Sequence, residues 1–272
     1  MKNLAVAMAA AGTALMLAAG AQAQTRVNVA HLAPFAPDLS DTAISVDVDG
    51  TEVLTGVEFN QSSGYLTLTP AGTAPGVTQV DVRTPPGGPV AITASPDLAA
   101  DTDYTVAAIG DGANQPLALL PLVDDLSAPA AGNARLRIVH TAPFADTAAA
   151  TEVSIRLQDG TVVAGLTNVP YGADSGYLEL PAGVYDLLIA TPDGSTELID
   201  PEPVRLNDGD VISVFAVGDG ANQPLGVTAV FADGTSAALP LDFPFEPIPV
   251  LNPWGLALLI LVLAGLAMRR LA

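Results

Sequence analysis

The sequence predicts an all-β protein: two tandem antiparallel β-sandwich domains between an N-terminal signal helix and a C-terminal transmembrane helix. Three observations carry this. Gly110-Asp111-Gly112-Ala113-Asn114-Gln115-Pro116-Leu117 returns letter for letter as Gly218 to Leu225, so the chain holds two copies of one unit. Each copy breaks into short runs of alternating apolar and polar residues, punctuated by Gly, Pro, Asn and Asp. A turn falls about every 8 to 12 residues, as in an antiparallel sandwich. No long stretch of 3.6-residue period appears in the body, which leaves little room for helix there. The 272 residues suit two domains of about 100 residues each.

Taken in order, Met1-Lys2-Asn3 is a short basic start and Leu4 to Ala19 an apolar run. Ala21-Gln22-Ala23 supplies the small-x-small pattern cut by signal peptidase, so residues 1–23 read as a signal peptide and Gln24 as the mature terminus. The first repeat, residues 25–128, opens with Arg26-Val27-Asn28-Val29-Ala30-His31 and a bend at Pro34. The second, residues 134–238, opens with Arg135-Leu136-Arg137-Ile138-Val139-His140 and a bend at Pro143. Period-2 alternation places Val27, Val29 and His31 on one face, and Leu136, Ile138 and His140 on the matching one.

Ala43 to Val48 and Glu152 to Leu157 alternate as half-buried strands do, and each runs into Asp-Gly-Thr, a tight-hairpin signal. Ser63-Gly64-Tyr65-Leu66 matches Ser175-Gly176-Tyr177-Leu178. Val184 to Ile189 reads as one further strand. Tyr104 to Ile109 and Val211 to Val217 lead into the octapeptides, and a last strand starts near Leu117 or Leu225. The repeats join through Ser127 to Asn133, a small-residue linker of limited reach. A Pro-rich linker, residues 239–250, should be stiff and extended.

Residues 251–272 close the chain. Trp254 to Met268 is 15 residues, roughly 22 Å of helix, short of the roughly 20 residues a comfortable span needs. Trp254 suits one membrane interface, and Arg269-Arg270 suits the cytoplasmic side, which puts the body outside the cytoplasm.

Composition bounds the chemistry. Against 29 Asp+Glu stand 9 Lys+Arg, for a net charge of −20. Lys2, Arg269 and Arg270 lie in the terminal segments, leaving six arginines for the whole body. Such a body repels a phosphate backbone, so no nucleic-acid partner is expected. The absence of Cys removes thiol catalysis, iron–sulfur clusters, Cys-based zinc sites and disulfides together. No cofactor and no enzymatic activity are expected.

Two resemblances follow from these residues. Ile248, Pro249, Val250, Leu251, Trp254 and Gly255, the short apolar run and the Arg269-Arg270 pair resemble the IPTL-CTERM class of bacterial sorting signals, relatives of PEP-CTERM. Val250 stands where that pattern has Thr. The resemblance implies an exosortase-like membrane enzyme as partner, removal of the tail, and release to the envelope surface or matrix. A permanent single-pass anchor is the alternative. The opening strand with His and Pro, the Ser-Gly-Tyr motif and Tyr104-Thr105-Val106-Ala107-Ala108-Ile109-Gly110 resemble the domain-of-unknown-function family 4397. That resemblance implies an immunoglobulin-like β-sandwich in each repeat and carries over no catalytic residue. The first copy departs by extra residues around Thr73 to Gln79, read as a longer loop.

The octapeptide reads as a tight loop, since Gly, Asp and Asn tolerate left-handed backbone. Asp111 and Asn114, with Asp219 and Asn222, are candidate Ca²⁺ ligands, but calcium takes 6–8 oxygens and one loop offers too few. Asp47-Val48-Asp49-Gly50-Thr51-Glu52 begins like an EF-hand loop yet lacks its later ligands, so it reads as a hairpin with exposed carboxylates. His31 and His140, one per repeat, read as structural residues bonded to nearby backbone. Ser63 and Ser175 lie in no Gly-x-Ser-x-Gly elbow. Tyr65 and Tyr177 should pack at the edge of each core. The expected function is an exported cell-envelope structural or binding protein presenting two acidic domains to a surface partner. The alternative is a surface adhesin or matrix protein that binds carbohydrate or Ca²⁺.

Overall fold

A computed structural model describes residues 25–68, 79–147 and 149–242. Repeat 1 contains β1 (Thr25–His31), β2 (Ile44–Val48), β3 (Thr51–Val57) and β4 (Gln61–Leu68). It continues with β5 (Val80–Arg83), β6 (Val90–Ala94), β7 (Asp103–Ile109) and β8 (Ala118–Asp124). These form two four-stranded sheets, ordered β4-β1-β7-β8 and β3-β2-β5-β6. Val27, Val29 and Val106 of the first sheet meet Ile44, Val82 and Ile92 of the second in one core.

Repeat 2 contains β9 (Asn133–His140), β10 (Ser154–Leu157), β11 (Asp174–Pro181), β12 (Gly183–Tyr185) and β13 (Leu187–Ala190). It ends with β14 (Glu197–Ile199), β15 (Val204–Leu206), β16 (Val211–Val217), β17 (Gly226–Phe231) and β18 (Ser236–Ala238). One sheet is β11-β9-β16-β17-β18; the layer facing it is split into β10-β13-β14 and β12-β15. Leu136, Ile155, Ile189 and Ile212 centre its core. Among the described residues helix is confined to single 3-10 turns at Leu39–Thr42 and Ala149–Thr151.

Local chemistry explains the turns. Asp49 and Gly50 have φ of 49° and 79°, the two positive values that a tight hairpin between twisted strands demands. The Ser-Gly-Tyr motif forms a β-bulge: the β1–β4 and β9–β11 registers both shift there. Ser63 Oγ accepts the Val29 amide at 3.0 Å, and Ser175 Oγ the Ile138 amide at 2.9 Å. Each hydroxyl replaces the carbonyl that the bulge turns away.

Three expectations are corrected. The sheets are not wholly antiparallel: β1 pairs with β7, and β9 with β16, in parallel. A repeat's first and penultimate strands run the same way, and the many residues between them allow the crossover that parallel pairing needs. Val184 to Ile189 is not one strand, because the chain breaks at Asp186 and β12 and β13 join different sheets. Tyr65 and Tyr177 are not at the edge of each repeat's own core but between the repeats, as described below.

Among the described residues no helix is long and apolar enough to cross a membrane. The signal segment 1–23, the extra loop residues Thr73 to Thr78 and the sorting residues Ile248 to Gly255, Arg269 and Arg270 lie outside the described residues.

Candidate functional site

The sheet faces that point away from the two cores meet each other. Strand alternation sends Tyr104, Val106 and Ala108 into repeat 1, leaving Thr105, Ala107 and Ile109 on the opposite face. In β16 it sends Ile212 and Ala216 inward and leaves Ser213, Phe215 and Val217. Ala30, Ala107, Ile109 and Leu122 of repeat 1 pack with Val139, Phe215, Val217 and Val230 of repeat 2 in a third apolar cluster. Phe215, Ala107 and Val139 are all 0% exposed. Burying these faces holds the repeats together by the hydrophobic effect, the largest favourable contribution available.

Beside this apolar patch lies a polar network. Arg137 Nη2 and Asp124 Oδ1 form an ion pair at 2.5 Å, with the side chains 2% and 1% exposed. Arg137 also donates to the Val123 carbonyl at 2.8 Å and to Ser213 Oγ at 3.0 Å. Its guanidinium lies over the Tyr177 ring, 4.7 Å from the centroid. Asp124 Oδ2 accepts from Tyr65 OH and from Thr105 Oγ1, each at 2.7 Å. Burial, followed by the Asp124 carboxylate, pushes the Tyr65 phenol well above its ordinary range. A buried pair this fully hydrogen-bonded offsets its desolvation, whereas removing either partner would strand a charge.

At the ends of the interface the octapeptide loops act as reciprocal clasps. Asp111 Oδ1 accepts the amides of Ala113, Asn114 and Gln115 at 3.1, 2.8 and 2.9 Å, and Oδ2 accepts Asn114 Nδ2 at 2.7 Å. Asp219 repeats this with Ala221, Asn222 and Gln223. The carboxylates are thus spent inside their own turns. The turns then reach across: Gln115 Nε2 donates to the Ala145 carbonyl at 3.0 Å and Asn114 Nδ2 to that of Pro143 at 3.1 Å. From the other side, Gln223 Nε2 donates to the carbonyls of Ala36 and Pro37 at 2.8 and 3.1 Å. Each loop grips the Pro bend of the other repeat, the reciprocity expected about a two-fold axis.

The histidines hold the bends that are gripped. His31 Nε2 donates to the Thr42 carbonyl at 2.7 Å, and His140 Nε2 to that of Thr151 at 2.6 Å. Burial pushes both imidazoles down to about 4, so they are neutral and carry their proton on Nε2. Phe35 and Phe144 stand against the rings, with centroids 5.6 and 5.9 Å away. The two histidines belong to separate bends, and the serines of the bulges bond to backbone rather than to them. Among the described residues no group of three or more His, Asp or Glu side chains is arranged to hold a metal ion.

The sequence reading singled out Asp111, Asn114, Asp219, Asn222 and both histidines, and the structure brings them to this interface. It missed Asp124, Arg137, Thr105 and Ser213, which alternation alone assigns to solvent. The available signal was apolar residues on both faces of β7 and β16, the pattern of strands buried on both sides.

The profile of a domain of unknown function, DUF4397, matches the chain twice, over residues 25–148 and 146–240. A search of curated proteins returned no match.

Proposed function

The chain belongs to the DUF4397 family, and on that premise we propose that it is an exported bacterial cell-envelope protein with a structural or binding role. Its two immunoglobulin-like β-sandwich repeats act as one acidic, non-catalytic unit that presents loops to a surface partner. The observation that carries this is the interface: a buried ion pair, a shared apolar cluster and two reciprocal clasps lock the repeats. Rigid coupling suits presentation, because the loops at the ends keep a fixed spacing for a partner.

Delivery rests on the terminal segments. Signal peptidase removes residues 1–23, and the C-terminal segment holds the protein at the membrane until an exosortase-like enzyme acts on the motif around Ile248 to Trp254. The carboxylates of Asp111 and Asp219 are already satisfied by their own loops, which favours the structural role over the Ca²⁺-dependent adhesin.

Intact mass of the native protein from its cells, with cell fractionation, tests the reading. A chain beginning at Gln24 and ending between Pro247 and Leu251, in the envelope or medium, is the expected outcome. One retaining Arg269-Arg270 would make the anchor permanent. A cytoplasmic chain that still carries Met1 to Ala23 would overturn the proposal.

A further inference from the structure

Repeat 2 closes over its core incompletely. The layer facing β9, β16 and β17 is divided between β10-β13-β14 and β12-β15, because Asp186 interrupts what would otherwise be one strand. Between the layers lies a partly open cavity of about 230 Å³. Its walls are apolar and mostly aliphatic: Leu136, Ile155, Ile189, Leu206, Ile212 and Val227 line it, with Tyr185 and Phe231 as the aromatic members. A dry apolar cavity of about 150 Å³ already holds a benzene ring, and this one is larger. Unbranched alkyl chains bend to fit such irregular, mostly aliphatic walls better than rigid rings do.

Arg205 also borders the cavity, exposed at the centre of β15. The other five arginines of the described residues are engaged, four with carboxylates and Arg156 with Ser154 and two carbonyls. Among the described residues the Arg205 side chain has neither an ion pair nor a hydrogen bond. In a body of six arginines and 29 acidic residues, a cation left free beside an apolar cavity is a complementary charge for an anionic head group.

We propose that this cavity binds a single-chain anionic amphiphile of the fatty-acid type, its tail between the layers of repeat 2 and its carboxylate beside Arg205. The site goes beyond the presentation role and does not depend on it. Binding should follow tail length, each added methylene strengthening it about fourfold until the cavity is full.

Calorimetric titration of the full chain with octanoate, decanoate and dodecanoate, below their micelle-forming concentrations, tests this. We expect one site per chain, with affinity rising about fourfold per methylene. Ala229→Leu fills the cavity from β17 and should abolish binding while the circular dichroism spectrum stays that of the parent. Should that variant not fold, Val214→Phe, at a half-buried lining position, makes the same test. Arg205→Glu, at an exposed position, should weaken dodecanoate about tenfold or more and leave dodecanol unchanged. No saturable binding across the series would overturn the site. So would binding that persists in a folded cavity-filled variant, which would put the amphiphile on the terminal apolar segments. Dodecanoate affinity unchanged in Arg205→Glu would overturn the anionic head group.

Discussion

Arg137 and Asn28 hold the same place in the opening strands of their repeats, and their circumstances differ sharply. Arg137 is paired with Asp124 and surrounded by partners. Asn28 is 0% exposed, and its Nδ2 has no hydrogen-bond partner. The residue matching Asp124 in repeat 2, counted from the octapeptides, is Ala232. Likewise Phe215 faces the interface where repeat 1 has Ala107. A duplicated unit packed on its copy begins with the same surface on both sides. Here the two equivalent contacts have diverged: Arg137 meets Asp124 across one, while Asn28 and Ala232 stand at the matching places of the other. The clasp turns did not diverge, since both loops need the same left-handed glycine and the same Asp-centred turn, although Asn114 shares the grip with Gln115 on one side while Gln223 acts alone on the other. The lesson is that the coupling is shared unequally: of two equivalent contacts across the interface, one holds the buried charges and the other holds small or neutral residues.

The largest expected effect lies at the ion pair. Asp124→Ala leaves the Arg137 guanidinium buried and unpaired, and should cost about 3–5 kcal/mol in chemical denaturation. Asp124→Leu combined with Arg137→Met should recover most of that loss, because two apolar groups strand no charge. If the double variant is no better than the single one, the asymmetry does not reside in this pair.

Acid comes next and acts on both repeats alike. With the imidazoles pushed down to about 4 by burial, the unfolded chain takes up protons below about pH 6.5 while the folded chain does not. Stability should therefore fall as pH drops from about 6.5 to about 4 and gain no further loss from these groups below that, on the order of 3 kcal/mol per histidine. Urea midpoints of His31→Gln and His140→Gln, compared with the parent at pH 7 and pH 4.5, isolate this from carboxylate titration. Each variant should show a shallower loss.

The clasps should respond equally. A Cβ at Gly110 would run into the Pro116 carbonyl, and one at Gly218 into that of Pro224, with φ at +91° and +85°. Gly110→Ala and Gly218→Ala should each cost about 1–3 kcal/mol, read as matched shifts in melting temperature. Unequal shifts would break the symmetry claimed for the loops. The smallest effect belongs to Asn28→Leu: relieving the unpaired Nδ2 offsets loss of the long 3.5 Å bond that Oδ1 accepts from Ser63 Oγ, so stability should change by no more than about 1 kcal/mol in either direction.

Local chemistry was legible where it is decided by a few neighbouring residues. Asp49-Gly50 announces its hairpin, and the identical octapeptides announce the duplication. Val27, Val29, Leu136 and Ile138 announce which strand faces look into a core. What alternation cannot reveal is the fate of the opposite face. Thr105, Arg137 and Ser213 read as solvent-facing because their polarity suits water, and only their partners on a distant strand make burial tolerable. Tyr65 and Tyr177 were misplaced for the same reason: a ring at the margin of one core is equally a ring at the centre of a junction. Parallel pairing of β1 with β7 was hidden too, because direction depends on the whole intervening path.

By itself, then, the sequence determined an acidic, cysteine-free chain of duplicated strand units with its turns in place, since turn geometry and strand alternation are properties of adjacent residues. Tertiary structure alone decided that the units lie back to back, that Asp124 answers Arg137, and that repeat 2 keeps a gap between its layers. Those outcomes depend on groups far apart in the chain, whose desolvation and contact are settled only when the surfaces close.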